Sequence, residues 1–472
     1  MVAKQFLLNC IEMQARWLGK AFLGIALLIS SVAVSQTEGG TLTLSKALEI
    51  AASNYGKVIA KDFYAKAEKE NLKMVKREYI PAFKLQGQLD YATANSLAGT
   101  YFPYGFSTSG GRSNTNNFDP VFGAIGSGYV EWRAFSFGQY RARVHEADLK
   151  FQIFNADAEQ ESFYNKVYLT QAYLDALIGI RLKELQQKNL DRALIVRSVV
   201  VENTKNGLRP GVDTSFVNAE VSRARLNLLE AEKNEDEQRR NLSNLMGIAL
   251  NTFKLDTALF FQRLPVMPSA VVSDVSANPM LKIYTARQSL SEMRGKEIFR
   301  NYFPKVSVLG IANGRGSGIS NSGAYDYSLG GALFTRFNYG GGITCTFNIL
   351  DYPRMRAEQT AERFRTDAAK AELEQETMNL KNESDFADQK LAIALEQMKE
   401  APFQYASASD FYRQKLAMYS NGLSTIVDIS QSLYALSRAE TDAAIARDAV
   451  WKALLNKSAV TGDFNLFLNS IR

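Results

Sequence analysis

At 472 residues the chain could hold two or three ordinary domains, and 46% hydrophobic against 22% charged residues excludes a disordered polymer. One His (His145) and two Cys cannot build a His/Cys zinc site or a disulfide framework, so neither a cofactor nor a metal is expected. The formal charge of +6 comes without any Lys/Arg run that could track phosphates, and no nucleic-acid partner is expected.

The N-terminus reads as an export signal. Lys4, Arg16 and Lys20 precede an apolar stretch, Ala21 to Val34, that ends Ala33-Val34-Ser35 before Gln36. That stretch is too short to cross a bilayer, where about 20 apolar residues are needed. Residues 1–35 are therefore assigned to a cleaved signal peptide, with Met1 or Met13 as the start. Cys10 falls inside it, so the mature chain keeps one cysteine, Cys345. No later segment has the length and apolarity of a membrane helix.

The first repeat, 36–250, opens with a helix over 44–78, which Pro81 stops. Strict alternation follows: Phe83, Leu85, Gly87, Leu89 and Tyr91 on one face, Lys84, Gln86, Gln88 and Asp90 on the other. Alternation over about 10 residues is the pattern of a transmembrane barrel strand. A Gly/Ser/Thr/Asn/Tyr-rich loop, 96–118, leads to a return strand near 121–136, completing a strand pair near 80–136. A long helix spans 138–206, with Leu174, Ile178, Leu182, Leu185, Ala193, Val196 and Val200 on one stripe. A helix over 214–247 closes the repeat, and 251–278 reads as a linker or equatorial segment.

The second repeat, 279–472, has the same plan: helix, strand pair near 304–350, long helix 353–421, helix 425–456 and a C-terminal equatorial segment. Its first strand is expected near 305–313 and its loop near 314–327. Its return strand alternates Ile343, Cys345, Phe347 and Ile349 against Thr344, Thr346 and Asn348. The duplication shows as Tyr79-Ile80-Pro81 against Tyr302-Phe303-Pro304, Asn54 against Asn278, and Asn206-Gly207-Leu208 against Asn421-Gly422-Leu423. Arg209-Pro210-Gly211-Val212 is an insertion in the first copy alone. Each long helix would run roughly 100 Å at 1.5 Å per residue. Pro402 inside the second is expected to kink it, at a cost of about 3 kcal/mol.

Four strands cannot close a barrel in lipid, because open edges leave backbone groups unsatisfied. Several chains must share one barrel, and three chains would supply about 12 strands. The fold class is thus a mixed α and β membrane protein, with four transmembrane strands per chain and a long helical barrel built from two internal repeats.

The duplicated Tyr-x-Pro, Phe135-x-Phe137-Gly138 at the end of the second strand and Gly422-x-x-Thr425-Ile426-Val427-Asp428 together resemble the TolC-like outer-membrane efflux proteins. The likeness covers residues 42 to 460. It implies a homotrimer with a 12-stranded outer-membrane barrel on a periplasmic α-helical tunnel. It further implies contact with outer-membrane lipid, a periplasmic adaptor and an inner-membrane pump, for efflux or type I secretion. No enzyme is implied, and nothing in the chain specifies the transported substrate.

The resemblance places the periplasmic entrance at the two helical turns. Asp428 matches a position where an acidic ring can face the axis, and Thr425-x-x-Asp428 also reads as a capping box. Gln431 stands where a second ring aspartate could lie, and Ser424 where an arginine could tie neighbouring helices. Tyr419 matches a network tyrosine whose aspartate partner maps to Ser215, with Asp213 nearby as a stand-in. Gly207, Leu208, Arg209, Gly422 and Leu423 form the tips where an adaptor would dock. Gly314-x-Gly316-x-Gly318 and Gly340–Gly342 lack the Gly-Lys-Ser/Thr ending of a phosphate loop and are assigned to strand and loop. The competing reading is a periplasm-spanning coiled-coil spacer or adhesin without a pore. It accounts for the rods but not for membrane-type strands joined by polar loops.

Overall fold

The computed structural model describes residues 41–95, 115–249, 253–266, 274–320 and 322–471. The export signal and most of the 96–118 loop lie outside the described residues. In chain order the elements are β1 (Thr41–Leu42), α1 (Leu44–Asn54), α2 (Gly56–Arg77), β2 (Ala82–Ala92), β3 (Val121–Phe135), α3 (Gln139–Lys205) and α4 (Gly211–Met246). They continue with β4 (Lys254–Leu255), α5 (Ala258–Gln262), α6 (Pro279–Asn301), β5 (Lys305–Ser317), β6 (Arg336–Thr346), α7 (Tyr352–Ser420), α8 (Ile426–Thr461) and α9 (Phe464–Ser470).

Two units are distinguished. The smaller, residues 41–43 and 253–256, is a parallel pairing of β1 with β4 in which Thr41 faces Lys254 and Leu42 faces Leu255. All other elements belong to the larger unit, described from here on.

The larger unit carries one four-stranded antiparallel sheet in the order β2-β3-β5-β6. Its helices keep the strands' order: α2 packs on α3, α3 on α6, and α6 on α7. Farther along, α3 pairs with α4 and α7 with α8, and α3 touches α8 between the two pairs. α3 has 67 residues and α7 has 69. At 1.5 Å per residue each is roughly 100 Å long. Their faces bury small and branched residues (Ala172, Ala176, Ala193, Val196 and Val200 in α3), which lets neighbouring helix axes approach closely.

Several local expectations are corrected. The helix expected over 44–78 is two helices, because Tyr55 leaves the helical region at ψ 108. The cause is tertiary: Gly247, the left-handed cap of α4, abuts the break so closely that a Cβ there would collide with the Asn54 carbonyl. The second repeat has the same junction, where Gly462 caps α8 against Asn278. Asn278 caps α6 by accepting from the Met280 N–H at 2.9 Å and donates to the Val460 carbonyl at 2.9 Å.

β5 runs to Ser317, through residues expected in a loop. Gly314 and Gly316 pair with Gly126 and Ala124 of β3, and they are glycines because the segment before β6 folds back over them. Phe334 occupies the space above Gly126 and Gly314, and a Cβ at Gly316 would strike the Leu333 carbonyl. The inserted Gly211–Val212 belongs to the first turn of α4, and α8 continues to Thr461. α7 stays helical on both sides of Pro402, whose nitrogen has no hydrogen to give the Met398 carbonyl.

Candidate functional site

The sheet has two chemically distinct faces. Directly opposed residues share a face. The register therefore puts Phe83, Leu85, Leu89 and Tyr91 beside Val130, Gly128, Ala124 and Phe122. The same face continues through Val308, Val306 and Ala312 to Ile343, Cys345 and Tyr339. The opposite face carries Lys84, Gln86, Ser127, Asn313, Arg315, Arg336, Asn338 and Thr344. Tyr339 is 92% exposed and Ile343 75%; Phe334 and Leu333 cover this apolar face only around Gly126, Gly314 and Gly316.

Aromatic rings gather where the sheet meets the helices. Each Tyr-x-Pro tyrosine packs on a ring from the returning chain: Tyr79 on Trp132 with centroids 5.8 Å apart, Tyr302 on Phe347 at 5.3 Å. Trp132 Nε1–H donates to the Tyr79 carbonyl at 3.0 Å. Phe135, Phe137, Phe303 and Phe299 form a continuous ladder with spacings of 4.7, 6.0 and 5.2 Å. In membrane barrels, aromatic girdles flank the apolar band. β2 and β6 each lack a strand partner on their outer side among the described residues.

At the far end of the long helices the two turns have the same backbone design. Gly207 (φ 71) and Gly422 (φ 80) take the left-handed conformation after α3 and α7. Leu208 N–H reaches the Asn203 carbonyl and Leu423 N–H the Met418 carbonyl, both at 2.9 Å, the hydrogen-bond pattern of a glycine-terminated helix. Leu208 and Leu423 then point outward, 70% and 72% exposed.

Between the turns lies a shared core of Val196, Val200, Val217, Tyr419, Ile426 and Ile429. Arg209, expected at the docking tip, reaches across to the second turn. Its guanidinium lies over the Tyr419 ring at 4.7 Å, and Nη2 donates to the Ser424 carbonyl at 3.5 Å. The Tyr419 hydroxyl has no hydrogen-bond partner among the described residues, so Asp213 does not bond to it. Burial pushes the Tyr419 phenol up, against the attraction of Arg209 for its anion. Ser215 and Gln431 are exposed.

Asp428 closes a complete capping box. Its carboxylate accepts from Thr425 N–H at 2.9 Å, Thr425 Oγ1 at 2.8 Å and Ser424 Oγ at 3.0 Å, while Thr425 Oγ1 accepts from Asp428 N–H. Lys415 Nζ stands 3.5 Å from its other oxygen. The Thr425 backbone bond above all, then the Thr425 and Ser424 hydroxyls, holds this carboxyl well below the usual carboxylate range.

Sequence reasoning missed a further link. Arg192 of α3 makes a two-pronged pair with Glu440 of α8, at 2.8 and 2.7 Å, joining the two helix pairs above the tips. The residues are far apart in sequence, and no local periodicity marks them. Among the described residues no group of three His, Cys, Asp or Glu could hold a metal, and no helix is long and apolar enough to cross a membrane.

No protein-family model and no curated protein matches the sequence. Solved structures do match. The outer-membrane channel OprN is 15% identical with a TM-score of 0.71, each chain covered to 89%. CusC, described for transmembrane channel formation, is 11% identical with a TM-score of 0.76, covering 89% of this chain and 92% of its own. The outer-membrane protein VceC of Vibrio cholerae is 12% identical with a TM-score of 0.74, covering 89% and 96%. These neighbours are channel and outer-membrane proteins, and this chain has their fold.

Proposed function

We propose that three copies of this chain form one outer-membrane channel, the exit conduit of a tripartite efflux or type I secretion system. The observation that carries the reading is the sheet: one apolar face running across all four strands, with an edge strand on each side that is unpaired among the described residues. In lipid those edges must pair, and rotation about one axis joins β6 of one chain to β2 of the next. Three sheets of four strands then enclose a barrel of about 12 strands, with the polar faces lining it. The helices, ordered as the strands are, continue the wall into the periplasm as a tunnel.

The chain would reach the outer membrane through its N-terminal signal. Leu208 and Leu423 offer exposed apolar contacts to a periplasmic adaptor, which would couple the tunnel to an inner-membrane pump. Asp428 faces the entrance in this reading, with Tyr419, Ser424 and Arg209 holding the two turns together. Purified protein in planar bilayers is expected to give discrete, long-lived conductance steps. Stable trimers without conductance would favour a spacer or adhesin instead.

A further inference from the structure

Below the sheet, α6 and α7 enclose a groove of about 690 Å³. Lys296 and Arg300 enter it from α6, Arg356 and Arg363 from α7, and Phe299 lies among them. All five are exposed. None of these four cations has a carboxylate within 4 Å among the described residues, although ion pairs are frequent elsewhere on the helices. The two acids that line the groove are engaged: buried Glu362 with Ser291 Oγ at 2.8 Å and Arg365 at 2.8 Å, Glu292 with Gln288 at 3.0 Å. Four unpaired positive charges in one groove repel one another, and an anion there relieves that repulsion.

The groove's position identifies the anion. Phe135 is registered opposite Val306, which puts it on the apolar face of the sheet. From Phe135 the ring ladder descends through Phe137 and Phe303 to Phe299, which lines the groove. Arg300 is fixed to this ladder, with Nη1 donating to the Phe137 carbonyl at 3.3 Å and its guanidinium 5.9 Å from the Phe303 ring. Phe137 itself is held at φ 45, unusual for a bulky residue, so the strand-to-helix corner that presents its carbonyl is specified. Going down the molecule, a molecule lying on this surface meets apolar strand residues, then aromatic rings, then clustered cations. That sequence matches acyl chain, glycerol and phosphate of a lipid.

We propose that this groove seats the phosphate of a membrane glycerophospholipid, whose chains rise along Phe299, Phe303 and the apolar face of the sheet. The proposal rests on the reading of that face as lipid-exposed. One phosphate would span Arg356 and Arg363 on α7 and Lys296 on α6, and so tie two helices together just below the membrane.

Native mass spectrometry of the full-length protein, titrated with phosphatidylglycerol and with diacylglycerol of the same chains, tests it. The wild type is expected to retain phosphatidylglycerol at least tenfold over diacylglycerol, and Arg356→Gln/Arg363→Gln to lose that preference. Lys296→Gln/Arg363→Gln should lose it too, which guards against one variant failing to fold. Millimolar inorganic phosphate should not displace the lipid. Equal retention of both lipids, retention unchanged in both variants, or displacement by phosphate alone would overturn the proposal. Conductance of the same variants separates the readings. Pores with altered ion selectivity and unchanged lipid retention place the groove in the lumen and end this proposal while leaving the channel. Loss of pores in the wild type ends the channel reading itself.

Discussion

The Arg209 guanidinium lies 4.7 Å from the centroid of the Tyr419 ring, so the turn after α3 is tied to the turn after α7 by a residue only the first repeat possesses. Such a contact is worth about 0.5–2 kcal/mol, and the Ser424 carbonyl bond adds to it. Arg209→Ala should loosen the two tips relative to each other. Single-channel recording is expected to show higher conductance or more frequent opening than wild type, with trimer stability little changed. Identical traces would mean that the contact does not restrain the entrance.

Asp428 combines a local and a proposed axial role, and pH separates them. Because hydrogen bonding depresses its folded-state pKa, its stabilisation is complete above the unfolded value of about 3.9 and is lost only as pH falls through the lower folded value. Any cation preference due to Asp428 should therefore persist from pH 7 down to pH 5. Asp428→Asn should weaken that preference and the block by divalent cations. Unchanged reversal potentials in the variant would leave Asp428 as a helix cap alone.

Asp448 behaves in the opposite sense. Burial pushes its carboxyl up to about 6, even with Lys452 Nζ at 2.5 Å and Asp175 sharing that lysine. An acid with a raised folded pKa gives stability that is full below about 3.9 and is lost as pH rises through 6. Asp448→Asn removes that loss. Its thermal midpoint should exceed that of the wild type at pH 7.5, corresponding to a stability gain on the order of 2 kcal/mol, and converge with it near pH 4. A lower midpoint at pH 7.5 would show that the Lys452 pairing outweighs burial.

The Arg192–Glu440 pair crosses between the two helix pairs with only 8% of the Glu440 side chain exposed. Glu440→Gln strands a cation and should cost roughly 1.5–3 kcal/mol in denaturant unfolding. Arg192→Met with Glu440→Leu should recover most of that, since a packed apolar pair replaces a desolvated ionic one. A double variant as unstable as the single one would point to a structural need for charge there.

The parts legible in the sequence are those with a short period. Phe83, Leu85 and Leu89 share a face because strand side chains alternate, and the glycine turns at Gly207 and Gly422 follow from one residue's backbone freedom. What escaped depends on contacts between distant segments. The break at Tyr55 packs against Gly247, and β5 extends through Gly316 by pairing with Ala124 of β3. Arg209 reads as an exposed tip residue until its turn is placed beside Tyr419. The cationic groove joins residues of α6 and α7 that no local pattern connects.

The central claim is that chains close a shared barrel by pairing β6 of one with β2 of the next. Cys345 lies near the helix-side end of β6 and Phe83 near the same end of β2, on the same apolar face. Within one chain the two strands are separated by β3 and β5, a gap of about 14 Å at 4.8 Å per strand. Phe83→Cys in a Cys10→Ser background, treated in outer-membrane vesicles with a short bismaleimide and run on a denaturing gel, tests the junction. The account predicts a ladder of two and three linked chains that stops at three. Monomers only, or a ladder continuing beyond three, would contradict it.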